Sequence, residues 1–141
     1  ANDAGGWEIR SLYFKGCIAP KATTTIRRGS ECLQIFEGFM DFLSWQTFHP
    51  SSTCDAIVLN SLALLPRIKE QIAGYREVES FLDNDDAGRK SFAVLKQIFP
   101  QVIDGATRYR EHKDLNEWLV SKSQLKEKQP LLPTTKHGIR R

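Results

Sequence analysis

The chain has 141 residues, enough for one domain with a buried core, and its content of 40% hydrophobic and 26% charged residues is ordinary for a soluble globular protein. No apolar run is long enough to span a membrane and no charged leader precedes an apolar core, so the sequence indicates neither a membrane protein nor a secreted one. The net charge of +3 averages two unlike regions, because residues 121–141 carry six basic side chains against one acid, whereas residues 1–120 carry 14 basic and 16 acidic ones.

The N-terminal residues 1–31 predict a small basic β segment. Residues 7–14 alternate loosely and predict a strand, Lys15-Gly16 predicts a turn, and residues 17–19 predict a returning strand before a proline. The basic residues of this segment outnumber its acids, and they are Arg10, Lys15, Lys21, Arg27 and Arg28.

Residues 32–122 predict alternating strands and helices. We expect strands at 32–36, 55–59, 77–82 and 101–104, and helices at 39–48, from Arg67 to Ala73, 85–99 and 114–122. This alternation predicts an α/β fold with a mainly parallel sheet of about four strands and helices on its faces. The remaining residues, 123–141, form a basic tail with two prolines, for which two interpretations stay open: a nucleic-acid contact, or a solvated and weakly ordered terminus.

The three cysteines, Cys17, Cys32 and Cys54, form no C-x-x-C pair, which argues against a structural zinc site and gives no support for a disulfide framework. Cys32 and Cys54 fall in or near apolar segments, so we interpret them as buried thiols. All three suit a reducing cytoplasm, which is the predicted location. The chain begins without a methionine, as an excised fragment of a longer protein would.

Polar side chains directly follow the predicted strands. Glu37 follows the first, Asn60 the second, and Asp83 and Asp85 the third. Because the carboxyl ends of parallel strands meet at one edge of a sheet, these residues are expected to converge there. The three carboxylates between residues 83 and 86 repel one another unless a cation lies among them. The pattern therefore predicts a metal site.

Further residues extend the predicted site. Asp41 lies one helical turn after Glu37, and Asp114 lies at the start of the last helix. Ligand sets rich in oxygen suit Mg²⁺ or Mn²⁺ rather than zinc, and such ions serve phosphoryl and nucleotidyl transfer. Gly38 and Gly88 permit close approach of backbone or phosphate.

Each acid also has a structural explanation. Asp85 and Asp86 can stabilise a helix N-terminus, and Asp114 can be an N-cap. Two other motifs fit poorly. An EF-hand loop starting at Asp83 would place alanine and valine at ligand positions. The Asp83-x-Asp85 pattern resembles that of dehalogenase-type phosphatases. That family carries the pattern after the first strand of its sheet, whereas here it follows the third.

Three motifs in the right order resemble the Toprim domain of DNA primases, a catalytic domain that also occurs in phage primase–helicases, topoisomerases and some nucleases. The motifs are Glu37-Gly38-Phe39-Met40-Asp41, Leu82-Asp83-Asn84-Asp85-Asp86-Ala87-Gly88-Arg89 and Lys113-Asp114-Leu115-Asn116-Glu117. The resemblance runs from about Leu33 to Leu119, and the first two motifs are closer to primases than to topoisomerases.

The resemblance implies a Mg²⁺-dependent nucleotidyltransferase that makes RNA primers on single-stranded DNA. It implies that Glu37 is the catalytic acid or base, that Asp83 and Asp85 bind Mg²⁺ or Mn²⁺, and that further acids and cations assist. The supporting acids are Asp41 and Asp114, and the residues facing phosphates are Arg10, Lys15, Lys21 and Lys113.

The implied partners are single-stranded DNA, nucleotides, a zinc-ribbon domain N-terminal to this chain, and a helicase or mobilisation protein of a mobile element. This chain holds neither a zinc ribbon nor a helicase segment, so by itself it is expected to make primers poorly or not at all. Two alternatives remain: a Toprim-type metal-dependent nuclease, and a non-catalytic nucleic-acid-binding module of a replication or mobilisation complex.

Overall fold

A computed structural model describes residues 1–11 and 13–127. Within these residues the strands are β1 (Trp7–Arg10), β2 (Lys15–Ile18), β3 (Thr24–Ile26), β4 (Cys32–Phe36), β5 (Asp55–Val58), β6 (Glu77–Phe81) and β7 (Ile103–Asp104). The α-helices are α1 (Phe39–Phe48), α2 (Lys69–Ile72), α3 (Asp86–Ile98) and α4 (Leu115–Glu127), and 3-10 helices span Leu62–Ile68 and Gly105–Tyr109. None of the helices described is long and apolar enough to cross a membrane.

The central sheet has the strand order β3-β5-β4-β6-β7. Strands β5, β4, β6 and β7 run parallel, and β3 is antiparallel to β5. The α/β class and the mainly parallel sheet are thus confirmed, with β4 in the middle. Its residues Leu33, Ile35 and Phe36 have no exposed surface. Such complete burial is expected of a parallel strand covered on both faces.

Apolar side chains on the two faces of the sheet form two core layers. Leu33 and Ile35 lie on one face and pack with Leu95 of α3. Phe36 lies on the opposite face with Trp45 of α1 and Leu115 of α4. Because successive strand residues point to opposite faces, each central strand contributes to both layers. The sheet is therefore held from both sides, and the ends of its strands have fixed positions.

Several predicted boundaries differ from the structure. The turn of the N-terminal hairpin lies between Arg10 and Lys15, where Ser11 Oγ accepts hydrogen bonds from two backbone N–H groups, and the predicted turn at Lys15-Gly16 is inside β2. The helix expected from Arg67 begins two residues later, as α2 at Lys69, and the 3-10 helix that precedes it contains Pro66. Helix α4 continues past the predicted end at residue 122. Residues 128–141, most of the predicted tail, lie outside the described part of the chain.

A disulfide joins Cys32 and Cys54, so the prediction of two buried thiols is wrong. The register of the sheet explains the pairing. Leu33 lies opposite Asp55 in the parallel pair β4–β5, and the residue before each of them is a cysteine. The two Cα atoms are consequently 5.0 Å apart although 22 positions separate the residues in sequence. Cys17 is free and exposed.

Candidate active site

Glu37 and Asp83 meet at the carboxyl edge of the sheet, where β4 and β6 end side by side. Phe36 and Phe81 form the last residue pair of these two strands. Glu37 directly follows Phe36, and Asp83 is the second residue after Phe81. The backbone N–H of Asp83 donates a 3.1 Å hydrogen bond to Glu37 Oε2. The expected convergence of distant acids at this edge therefore occurs for this pair.

Three aspartates form a compact cluster beside Glu37. Asp41, Asp83 and Asp114 each offer one carboxylate oxygen, and these oxygens lie within 4.8 Å of one another. Asp41 is in the first turn of α1 and is 8% exposed, and Asp114 directly precedes α4. The three acids come from three separate parts of the chain, which only the complete fold brings together.

Contacts between α1 and α4 position two of these acids. The backbone N–H of Asn116 donates to Asp41 Oδ1 at 3.3 Å, and the Asn116 side chain donates to Ser44 Oγ at 3.2 Å. One oxygen of Asp114 accepts a 2.7 Å bond from the N–H of Glu117 and so caps α4. The capping role proposed as an alternative for Asp114 is thus compatible with its place in the cluster.

The electrostatics of the cluster favour binding of a cation. Burial, followed by the charge of Asp114, raises the pKa of Asp41 to about 6. Burial and the neighbouring charges of Glu37, Asp41 and Asp114 raise the pKa of Asp83 to about 7. Burial also raises the pKa of Glu37. The Nζ atom of Lys113, 3.7 Å from Asp83 Oδ2, offsets only part of this repulsion from its exposed position.

The donor set fits a hard divalent ion. It consists of carboxylate oxygens from three directions, which is the ligand chemistry of Mg²⁺ or Mn²⁺. Proximity of like charges is unfavourable in a half-buried site, and an ion between them would reverse the sign of the interaction. The coarse prediction of a divalent-metal site therefore agrees with the fold, and the identity of the ion stays a prediction.

Asp85 lies apart from the three-acid cluster. Its side chain is the N-cap of α3, where Oδ1 accepts a 2.9 Å hydrogen bond from the N–H of Gly88. Its charge still acts on Glu37, whose pKa it helps to raise. The assignment of Asp85 as an ion ligand stays a prediction, and its capping contact is the structural role seen here.

Gly88 makes the close approach expected of it. A Cβ atom at this position would lie 2.1 Å from the carbonyl oxygen of Asp83, because the first turn of α3 packs directly onto the end of β6. At Gly38 a Cβ atom would meet only Asp41 Oδ2, at 3.3 Å. The stricter requirement for glycine is therefore at Gly88.

Asn84 is a positioning residue that the sequence reading did not single out. Its Nδ2 atom donates hydrogen bonds to the carbonyls of Tyr109 and His112, both at 2.9 Å. Its backbone N–H donates to the carbonyl of Lys113 at 2.7 Å. These bonds fasten the segment before Asp114 to the loop that carries Asp83. The available signal was an amide side chain between two acids at a strand end.

Asn84→Ala should therefore weaken both the fold and the metal site. The change removes two hydrogen bonds and leaves the His112 carbonyl without its donor, whereas the Tyr109 carbonyl keeps the backbone N–H of His112. We expect a loss of about 2 kcal/mol in the free energy of unfolding. It should also weaken the thermal stabilisation by Mn²⁺, because two of the three bonds that hold the segment before Asp114 are lost and only the backbone bond to Lys113 remains. Chemical denaturation and thermal melts measure the two effects. Asn2→Ala is the control: Asn2 is buried and donates to the Pro20 carbonyl at 2.7 Å, and its side chain makes no hydrogen bond to the acids or to the segment before Asp114, so the Mn²⁺ response should persist.

A cavity of about 520 Å³ joins the acids to a set of cations. Glu37, Asp41, Asp83 and Asp114 line one part of it. The cations predicted to face phosphates line the remainder, and they are Arg10, Lys15, Lys21 and Lys113. Strands β1 and β2 supply the first two of them. A ligand that carries both phosphate groups and a divalent ion matches this combination of charges.

The raised pKa values predict an unusual dependence of stability on pH. A folded state that holds Asp41 and Asp83 with pKa values of about 6 and about 7 binds more protons than the unfolded chain, in which the value is 3.8. The stabilisation that protonated Asp41 and Asp83 provide is thus fully present below pH 3.8. It is lost as the pH rises from there through the folded-state pKa values of about 6 and about 7. The melting temperature in chelator should fall by at least about 5 °C between pH 5 and pH 8.

Two controls test the origin of this effect. Millimolar Mn²⁺ should restore much of the stability at pH 8, since the ion replaces the protons. The double variant Asp41→Asn/Asp83→Asn should lack both the decline and the response to Mn²⁺. An identical decline in this variant would show that other groups cause it.

Comparison with known proteins identifies the family. A family profile described as Toprim-like matches residues 34–119. The primase fragment of the bacteriophage T7 primase-helicase protein has a TM-score of 0.64 and 15% identity, over 86% of this chain and 54% of that chain. A search of curated protein sequences finds no match.

A second structure shows the same fold. It contains the bacteriophage T7 lagging-strand DNA polymerase interacting with primase domains of two subunits bound to an RNA/DNA hybrid and dTTP, and a chain in it aligns with a TM-score of 0.54 and 18% identity, over 70% of this chain and 52% of that chain. The present chain spans about half the length of the chains it matches. Since the profile covers more than half of the sequence and includes the three aspartates of the cluster, the chain belongs to the Toprim-like family.

Proposed function

We propose that this chain is the catalytic Toprim domain of a DNA primase-like protein, which joins ribonucleotides on a single-stranded DNA template. The observation that supports this function best is the single cavity in which three clustered aspartates face four cationic side chains. A nucleotidyl-transfer site has to hold polyphosphate, nucleic-acid phosphates and a divalent ion at once. The arrangement meets all three needs in adjacent positions.

The three clustered aspartates are the groups that would hold Mg²⁺ or Mn²⁺. When bound, such an ion neutralises charge on the attacking and leaving oxygens of an in-line displacement. Burial of Asp41 on α1 and the capping contact of Asp114 on α4 fix two of the carboxylates before any ligand arrives. This preorganisation lowers the cost of ordering the site on binding.

Glu37 is the proposed acid–base residue. Its Oε2 atom accepts the N–H of Asp83, which orients the carboxylate and leaves Oε1 to take a proton from the attacking 3′-hydroxyl. That hydroxyl oxygen bonds to the α-phosphorus of the incoming nucleotide, and the bond to pyrophosphate breaks. Burial raises the pKa of Glu37, which brings it closer to the working pH of a general base.

The cations of the cavity would bind and orient phosphates. Arg10 and Lys15 lie opposite each other across the hairpin, and Lys113 lies next to the acids. We further propose that the longer protein contains a zinc-ribbon domain and works with a helicase or a mobilisation protein. The similarity to a fragment of a primase-helicase supports the helicase part of this proposal.

Primer synthesis on a template tests the function. The protein, in the longest form that can be prepared, is incubated with single-stranded DNA, four ribonucleotides and Mg²⁺ or Mn²⁺, and labelled products are resolved by length. We expect short RNA products that Glu37→Gln prevents. Shortening of the DNA would instead support the nuclease alternative. Neither product, with template binding intact, would support the non-catalytic alternative.

A further inference from the structure

Exposed aromatic side chains are concentrated on one element of the described chain, the β1–β2 hairpin. Trp7, Tyr13 and Phe14 are 56%, 93% and 59% exposed, and they are the aromatic residues among the exposed large hydrophobic side chains. The other described aromatic side chains are buried or half-buried, and many of them pack in the core. The hairpin thus combines unburied aromatic surface with the cations that line the cavity.

The tip of the hairpin lies at the cavity. Arg10 and Lys15 form the last pair of the ladder before the turn, and both line the cavity. Tyr13 and Phe14 belong to the turn between them. Tyr13 and Phe14 are therefore close along the chain to the two cations, although their own side chains are not among those that line the cavity.

The Phe14 ring has a defined place. A Cβ atom on Gly16 would lie 2.5 Å from Cζ and 2.6 Å from Cε1 of Phe14, so the edge of the ring lies against the glycine. This contact is at the ring edge, and the side chain keeps more than half of its surface exposed. A base that stacks on it would meet a ring already held in position, so little side-chain entropy is lost.

We propose that Tyr13 and Phe14 form a stacking surface for the bases of single-stranded DNA on its way to the acidic cluster. Every base has a π face, so aromatic side chains can bind a strand without selecting its sequence, while adjacent cations bind its phosphates. Arg10 and Lys15 supply that charge complementarity. The proposal rests on the proposed function, because it assigns a route for the template of that reaction.

Binding of a fluorescein-labelled 16-nucleotide thymidine oligonucleotide to the 141-residue chain tests the surface directly. The double variant Tyr13→Leu/Phe14→Leu keeps apolar area and removes the π faces. We expect it to bind about ten-fold to a hundred-fold more weakly by fluorescence anisotropy. The slope of log affinity against log salt should not change, since the phosphate contacts remain. Tyr13→Phe should bind as the wild type does.

Three outcomes would overturn the proposal. One is equal binding of the wild type and the leucine variant, which would indicate that the exposed rings serve an apolar contact with a protein and do not stack on bases. Another is equal binding of an abasic oligonucleotide of the same length. A third is no binding by a wild-type chain that retains its thermal stabilisation by Mn²⁺. That stabilisation, unchanged in the variant, also verifies that the variant folds.

The binding assay is independent of catalysis, so the two proposals can fail separately. Weak binding by the leucine variant, together with no primer synthesis by the longest form of the protein that can be prepared, would contradict the primase function and leave the stacking surface in place. Primer synthesis with binding that is insensitive to the leucine substitutions would contradict only the stacking surface.

Discussion

Asp83→Asn is expected to abolish the proposed nucleotidyl transfer and at the same time to stabilise the metal-free protein. Asp83 is the central member of the acidic cluster: its side chain is 15% exposed, and the charges of Glu37, Asp41 and Asp114 all raise its pKa. Asparagine keeps the shape and removes the charge. The proposed activity should fall by about a thousand-fold, because the substitution removes a proposed ligand of the ion that supplies several kcal/mol of charge stabilisation.

The stability of the same variant should change in the opposite direction. Without metal at pH 8, the substitution removes a carboxylate that repels its neighbours, so the melting temperature should rise. Addition of Mn²⁺ should raise it further in the wild type and much less in the variant. Asp86→Asn is the control, since Asp86 is exposed in the first turn of α3 and outside the cluster. A variant that is both inactive and unfolded would contradict the explanation by charge.

Gly88→Ala is expected to disrupt the site through the backbone. The new Cβ atom would lie 2.1 Å from the carbonyl oxygen of Asp83 and 2.9 Å from its carbonyl carbon. Neither atom can move without displacing Asp83 itself or lifting α3 from the sheet. Alanine is the better helix former by about 1 kcal/mol, so intrinsic propensity alone predicts stabilisation. We expect instead a loss of about 2 kcal/mol or more, together with the loss of the Mn²⁺ response.

Gly74 serves as a control that separates the steric clash of an added Cβ atom from the general effect of replacing glycine with alanine. Gly74 follows α2, and a Cβ atom there would have its nearest neighbour at 3.6 Å, an ordinary contact distance. Gly74→Ala should therefore leave the melting temperature and the Mn²⁺ response close to those of the wild type. If Gly88→Ala behaves in the same way, the contact between α3 and the end of β6 is not the constraint that we infer.

The parts of the fold that could be predicted from the sequence are those with a strong local signal. The apolar runs of β4, β5 and β6 predict buried strands, and the side chains that follow them predict a functional edge. Glu37 and Asp83 were placed correctly because the end of a parallel strand has only one edge to occupy. Their mutual contact also requires β4 and β6 to be neighbours in register, which the sequence does not show.

Other parts depend on register or on tertiary contacts, which the sequence does not display. Strand β3 is only three residues long and becomes a strand by pairing with β5. The Cys32–Cys54 disulfide follows from adjacency of two strands that could also have been separated. Asn84 and Asp85 were ambiguous for another reason: a polar residue at a strand end can bind an ion, cap a helix or hold a loop. Only the positions of Gly88 and Tyr109 decide the contacts seen here.

The distances along the chain between the acids have a consequence for folding kinetics. The contact between Asp83 and Glu37 spans 46 positions, and that between Asn116 and Asp41 spans 75. Such contacts close large loops, so the cluster is expected to assemble late, after the central strands have paired. A divalent ion should then have little effect on the folding rate and should mainly slow unfolding. Bound metal would therefore increase the kinetic stability of the folded protein and would not nucleate folding.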